Sequence, residues 1–194
     1  LYDKLIENYK EEKLDFSQVS TVNLDEYIGI DYEDPNSYHQ FMNEHLFDKV
    51  NIDKKNTHVP EIYKSLEETT KNYDQLLKDF GKRDVQVLGI GENEPASKLN
   101  IHTSIIDLDE NTINANSRFF KSKEEVPKKA ISMGMADIFD SETLIVLASG
   151  KKKQKTIEKF LNMDKVDPMF PMSFIHLHPN CYLIIDKEAY GEEN

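Results

Sequence analysis

Cysteine is nearly absent from this chain of 194 residues. Cys181 stands alone, which excludes an internal disulfide framework and a cysteine-rich zinc site. Long apolar runs are missing too: no stretch approaches the ~18 residues of a membrane span, and no charged-then-apolar leader opens the chain. Positive charge is in deficit, with 24 Lys and Arg against 36 Asp and Glu, for a formal net charge of −12. That balance disfavours nucleic acid and anionic membrane surfaces as partners. A small anionic substrate still fits wherever cations gather locally, and Lys151, Lys152, Lys153 and Lys155 supply such a cluster. The expected setting is the cytoplasm.

What remains is ordinary for a folded protein, 38% apolar and 31% charged. The length predicts one α/β domain over 1–194. Leu1 opens directly inside an amphipathic pattern, so we expect residues to precede it. Leu1, Leu5, Ile6 and Tyr9 form a helical stripe. Val19–Leu24 reads as a strand ending in Asp25 and Glu26. Asp34-Pro35 is suited to start a helix, carried on by Tyr38, Phe41, Met42, His45 and Leu46. A long helix is expected from about Glu61, closed by Gly81. Val85–Ile90 is a second buried strand, ended by a glycine-bearing turn. Ser104–Leu108 and Ala130–Met133 are short β-rich runs, with a helix or turn over Thr112–Phe120. Leu144–Ala148 is the third clear strand and passes through Ser149-Gly150 into the lysine-rich helix Lys151–Leu161. Tyr182–Ile185 is a last strand, and the acidic tail after Lys187 is expected to fray. Strands alternating with helices predict a three-layer α/β/α fold around an open, mostly parallel sheet.

Three of these strands end in polar or glycine-bearing turns, at Asp25, at Gly91 and at Gly150. In a parallel sheet such turns share one edge, where ligand crevices lie. The edge would offer Asp25 as a base, backbone donors from the glycine turn, and cations at a helix start. Each has a plainer alternative. Asp25 or Glu26 could cap the next turn or pair with a lysine, which this stretch alone favours. The lysine run could equally be a solvated face. His176 and His178 share a spacing that suits a metal, but no third ligand is evident, and packing or capping is expected. Ser149-Gly150 lacks the flanking glycine pattern of a nucleophile elbow, and Gly89-Ile90-Gly91 lacks the third glycine of a dinucleotide turn.

Eight runs resemble one family, in its order and over nearly the whole chain: NLDEYIG (Asn23–Gly29), PNSYHQFMNEHLF (Pro35–Phe47), LGIGEN (Leu88–Asn93), NEPAS (Asn93–Ser97), ANSRFF (Ala115–Phe120), VPKKAISMGM (Val126–Met135), ASGKKK (Ala148–Lys153) and LHP (Leu177–Pro179). That family is glucosamine-6-phosphate deaminase. The resemblance implies a Rossmann-like fold of the sugar-phosphate isomerase type and an aldose–ketose isomerisation coupled to loss of ammonia. It implies no metal or redox cofactor, a small-molecule sugar phosphate as partner, and leaves homo-oligomerisation open. Carried over by position, Asp25 matches the base that moves a proton between carbons 2 and 1 of the opened sugar. Arg118 and Lys153 match phosphate ligands. Glu94 matches the glutamate that supports the ring-opening histidine, and Asn93 the Asp or Asn before the family's glycine-histidine pair.

The chain departs from the family in two places. The family's first phosphate loop, with its preceding strand, lies before the position matching Leu1. GENEP stands where the family reads GENGHIGFNEP, so the ring-opening histidine is missing between Asn93 and Glu94. Either the relative is crippled, or these segments belong to the protein but fall outside this sequence. We favour the second, because active-site lids are commonly mobile without ligand. Two other readings keep a related fold: a sugar-phosphate sensor that binds without reacting, and a 6-phosphogluconolactonase, against which NLDEYIG and ANSRFF argue.

Overall fold

The computed structural model describes residues 1–90 and 100–192. In chain order the helices are α1 (Tyr2–Lys10), α2 (Tyr38–His45), α3 (Leu66–Phe80), α4 (Glu110–Asn116), α5 (Met135–Phe139), α6 (Gln154–Leu161) and α7 (Lys187–Tyr190). The strands are β1 (Thr21–Val22), β2 (Asp25–Ile28), β3 (Thr57–His58), β4 (Arg83–Gly89), β5 (Ser104–Asp107), β6 (Lys129–Ser132), β7 (Ser141–Ala148) and β8 (Cys181–Ile185). The expected α/β class with parallel sheets is what forms. The chain divides into two compact units: Leu1–Leu77 with Thr103–Met133, and Lys78–His102 with Gly134–Asn194.

In the first unit β1 pairs in parallel with β3, while β2, β6 and β5 form an antiparallel sheet with β6 in the middle. Its core is Ile6, Met42, Leu46, Phe47 and Ile52, with Tyr2, Leu5, Phe16, Val19 and Val50 packed against it. The helical stripe on α1 therefore buries Ile6 against the apolar face of α2. Burying side chains of this size contributes roughly 1.5–3 kcal/mol each. Helix α2 starts later than Asp34-Pro35 suggests. The Ser37 hydroxyl accepts from the Gln40 N–H at 3.0 Å and donates to the Tyr32 carbonyl at 2.8 Å. A serine cap satisfies an orphan donor, which the preceding proline cannot do. Likewise α3 begins at Leu66 rather than near Glu61, because the Ser65 hydroxyl takes the Glu68 N–H.

In the second unit β4, β7 and β8 form a parallel sheet with β7 central. Leu144 and Val146 of β7 pack with Phe160, Phe170 and Ile175, and Ala148 packs with Ile157 and Ala189. Among the described residues the acidic tail does not fray as expected. Asp186 caps α7 by accepting the Ala189 N–H at 2.8 Å, and Ala189 is fully buried. Gly191, with φ of 99°, closes that helix in the left-handed conformation.

Candidate active site

The backbone around Asp25 is fixed before its side chain is considered. The Asn23 N–H donates to the His58 carbonyl at 2.8 Å, prolonging the β1–β3 pairing by one residue. The Tyr73 hydroxyl donates to the Asn23 carbonyl. One residue on, the Leu24 carbonyl accepts the Met133 N–H at 2.8 Å, and the chain joins β6, with Asp25 opposite Ser132. Asp25 thus opens an antiparallel strand; it does not close a parallel one, as the apolar run Val19–Leu24 suggests. The chain changes partner at Asn23-Leu24, and a change of partner leaves no mark on hydrophobic periodicity. The site is nonetheless held by hydrogen bonds on both sides.

Adjacent strand residues point to opposite faces, so Asp25 and Glu26 divide their tasks. Glu26 is 1% exposed. Its Oε1 accepts the N–H groups of Tyr27 at 2.7 Å and Tyr38 at 3.0 Å, and its Oε2 accepts that of His39 at 2.9 Å. Two of these donors are the first N–H groups of α2, where the helix dipole favours an anion. Burial pushes the Glu26 carboxyl up, and the three N–H groups pull it back. This is the capping role that the sequence left open between the two acids.

Asp25 is partly buried, and none of those three donors reaches it. Desolvation pushes its carboxyl up to about 7, and the adjacent Glu26 charge adds to the shift. A carboxylate with that pKa is half-ionised near neutrality and can both take and return a proton. On the same strand the ring of Tyr27 stacks on Tyr38, with centroids 4.9 Å apart. Burial and the Asp25 charge hold the Tyr38 hydroxyl protonated.

Arg118 lies in the same unit, exposed in the turn Ser117–Phe119 that follows α4, its guanidinium 4.7 Å from the Phe119 ring centroid. Lys153 belongs to the second unit. It ends a 3-10 turn, Lys151–Lys153, that links β7 to α6, so the lysine-rich helix starts a turn later than expected. Because β4 and β7 are parallel neighbours, their carboxyl ends, near Ile90 and Gly150, do share one edge. At that edge Gly150 adopts φ of 83°, and its N–H donates to both oxygens of Asp186, at 3.1 and 3.0 Å. Asp186 escaped the sequence reading, although an aspartate three residues before Ala189 at a strand end is a cap signal. Asn93 and Glu94, and the peptide between them, lie outside the described residues.

The histidine pair is structural. His176 stacks on Phe160 with centroids 4.2 Å apart. His178 is buried, with Nε2 3.2 Å from the Ser141 carbonyl and Nδ1 3.0 Å from that of Asn180. Among the described residues no three His, Cys, Asp or Glu side chains gather as a metal site would need. No described helix is long and apolar enough to cross a membrane.

The α/β fold and its relatives place this chain in a class of sugar-phosphate enzymes. Residues 1–183 match the family described as glucosamine-6-phosphate isomerases/6-phosphogluconolactonase, and the chain belongs to that family. Glucosamine-6-phosphate deaminase from Thermoanaerobacter pseudethanolicus is 44% identical over 196 residues, covering 97% of this chain and 77% of its own. The deaminase of Clostridium botulinum (strain Loch Maree) is 43% identical, covering 100% and 82%. A solved monomeric glucosamine-6-phosphate deaminase superposes with a TM-score of 0.93 at 37% identity, covering 99% of this chain and 82% of its own. 6-Phosphogluconolactonase from Leishmania guyanensis reaches a TM-score of 0.71 at 15% identity, a likeness of fold alone.

Proposed function

We infer that this protein is an enzyme that converts glucosamine 6-phosphate and water to fructose 6-phosphate and ammonia. The observation that carries the reading is Asp25 in NLDEYIG, a carboxylate raised to about 7 on a backbone fixed from both sides, in a chain 44% identical to deaminases. With the sugar opened, the Asp25 carboxylate takes the proton from carbon 2, and the electrons move into an enolamine. Asp25 returns the proton to carbon 1, leaving an imine at carbon 2. Water adds to that imine, and ammonia departs to give the ketone. We assign Arg118 and Lys153 to the phosphate, Arg118 as a fork of donors and Lys153 as a point charge. Binding energy at a phosphate far from the reacting carbons holds those carbons in place. Asn93 and Glu94 are assigned to the ring-opening part of the site on their motif alone. The cytoplasm is the proposed location, as for an enzyme of sugar-phosphate metabolism.

The test is ammonia release by the complete gene product with glucosamine 6-phosphate, beside galactosamine 6-phosphate and 6-phosphogluconolactone. Equal yields of ammonia and fructose 6-phosphate are expected. Lactone hydrolysis without ammonia release would overturn the reading in favour of the lactonase branch. Tight binding of the amino sugar without turnover would point to a sensor.

A further inference from the structure

We propose that Tyr27 and Asn116 form a strut that sets the spacing between Asp25 and Arg118, so that both are positioning residues for the reaction. The proposal rests on the deaminase reading above. The Asn116 Nδ2 donates to the Tyr27 hydroxyl oxygen at 2.8 Å, joining positions 89 residues apart. Tyr27 is two residues beyond Asp25 on β2 and points to the same face. Asn116 is the last residue of α4, two before Arg118. The other side of Arg118 is tied to the same ring: Phe120 meets Tyr27 edge-on, with centroids 6.0 Å apart. Arg118 is therefore bracketed by two contacts to one side chain, which itself stands next but one to Asp25. Tyr27 suits this task because it is only 5% exposed and its ring is backed by the Tyr38 stack.

The geometry has a chemical consequence. The sugar's phosphate is on carbon 6, while the proton moves between carbons 2 and 1, so the length of the substrate is fixed. If the phosphate stays on Arg118 and the turn drifts relative to β2, the reacting carbons drift from the base. Misplacement of about 1 Å can cost on the order of a hundredfold in rate without weakening binding. A strut should therefore show in kcat and spare KM.

Tyr27→Phe removes the hydroxyl and keeps the ring; Asn116→Leu removes the donor at similar volume. Steady-state kinetics and melting temperatures of both variants, and of the double variant, make a cycle. Each single change is expected to lower kcat by about tenfold or more with KM within about threefold. The double variant should be no slower than Tyr27→Phe, because Asn116→Leu breaks a bond that Tyr27→Phe already removes, along with the hydroxyl's contact to Tyr38. Wild-type kcat in Tyr27→Phe, multiplicative losses in the double variant, or a loss that tracks only the unfolded fraction would each overturn the strut. A wild-type protein that releases no ammonia would instead sink the deaminase reading, and the wild-type arm distinguishes the two.

Discussion

Asp25 and Glu26 are neighbours in the chain and opposites in environment: Glu26 is gripped by three backbone N–H groups, and none of those groups reaches Asp25. The gripped acid anchors β2 to the start of α2. Burial raises both carboxyls, and that of Asp25, outside the grip of the N–H groups, is pushed up to about 7, where it can exchange a proton near neutrality.

Replacing Asp25 with Asn should cost activity and add stability. Turnover is expected to fall by about 10²–10⁴-fold, the usual contribution of a general base. The folded-state pKa of about 7 lies above the ordinary carboxylate value. Between those two values the native state binds the extra proton, so the wild type loses stability as pH rises across that window. Asn escapes this penalty. Urea unfolding should show the variant roughly level with wild type near pH 4 and about 2–4 kcal/mol more stable at pH 8. A variant less stable at pH 8 would show that Asp25 is not held at a desolvation cost.

Glu26→Gln retains the shape of the side chain but removes its charge and faces an N–H group with an NH₂. Loss of acceptors for buried donors should lower the unfolding free energy by about 2–4 kcal/mol. Removing the neighbouring negative charge also lowers the Asp25 pKa, so the acid limb of the kcat/KM profile should move to lower pH. An unmoved limb would mean that Glu26 does not tune the base.

The Gly150–Asp186 contact braces the turn that presents Lys153. Asp186→Ala removes that brace and the α7 cap together, for an expected loss of about 1–2 kcal/mol and a raised KM for the sugar phosphate. A Cβ on Gly150 would meet nothing within 4 Å, so the cost of Gly150→Ala is purely backbone strain at φ of 83°, about 1–3 kcal/mol. Calorimetry and KM measured side by side test both; an unchanged KM in Asp186→Ala would detach the brace from substrate binding.

Gly134 poses the opposite case. Its backbone is unstrained, but a Cβ there would lie 2.4 Å from backbone atoms of Ile101 and His102. Backbone atoms cannot swing away, so Gly134→Ala should destabilise by roughly 3 kcal/mol. Gly89→Ala, with open space and ordinary φ, should stay within about 0.5 kcal/mol. Similar melting temperatures for the two variants would contradict this packing argument.

Much of the fold was legible because periodicity and turn chemistry are local. The stripe on α1 and the glycine after α3 sit within a residue of their expected places, and β7 ends at Ala148 as expected while starting three residues earlier, at Ser141. The start of α2 and the order in the acidic tail depart from expectation for a shared reason. Ser37 and Asp186 are caps whose value depends on which donors lie nearby, and the stronger-looking proline and the run of acids outweighed them.

The residues by themselves determined the alternation of strands and helices, the candidate Asp25 and the lack of a cysteine framework, since side-chain type and spacing carry all three; Arg118 and Lys153 became candidates through the resemblance to the deaminase family. Which of two adjacent acids is gripped by backbone N–H groups was decided only by folding. That choice depends on where the first turn of α2 points its N–H groups, a relation between segments a dozen residues apart. The link from Tyr27 to Asn116 was hidden for the same reason: a hydrogen bond across 89 positions exists only once β2 and α4 have been packed together.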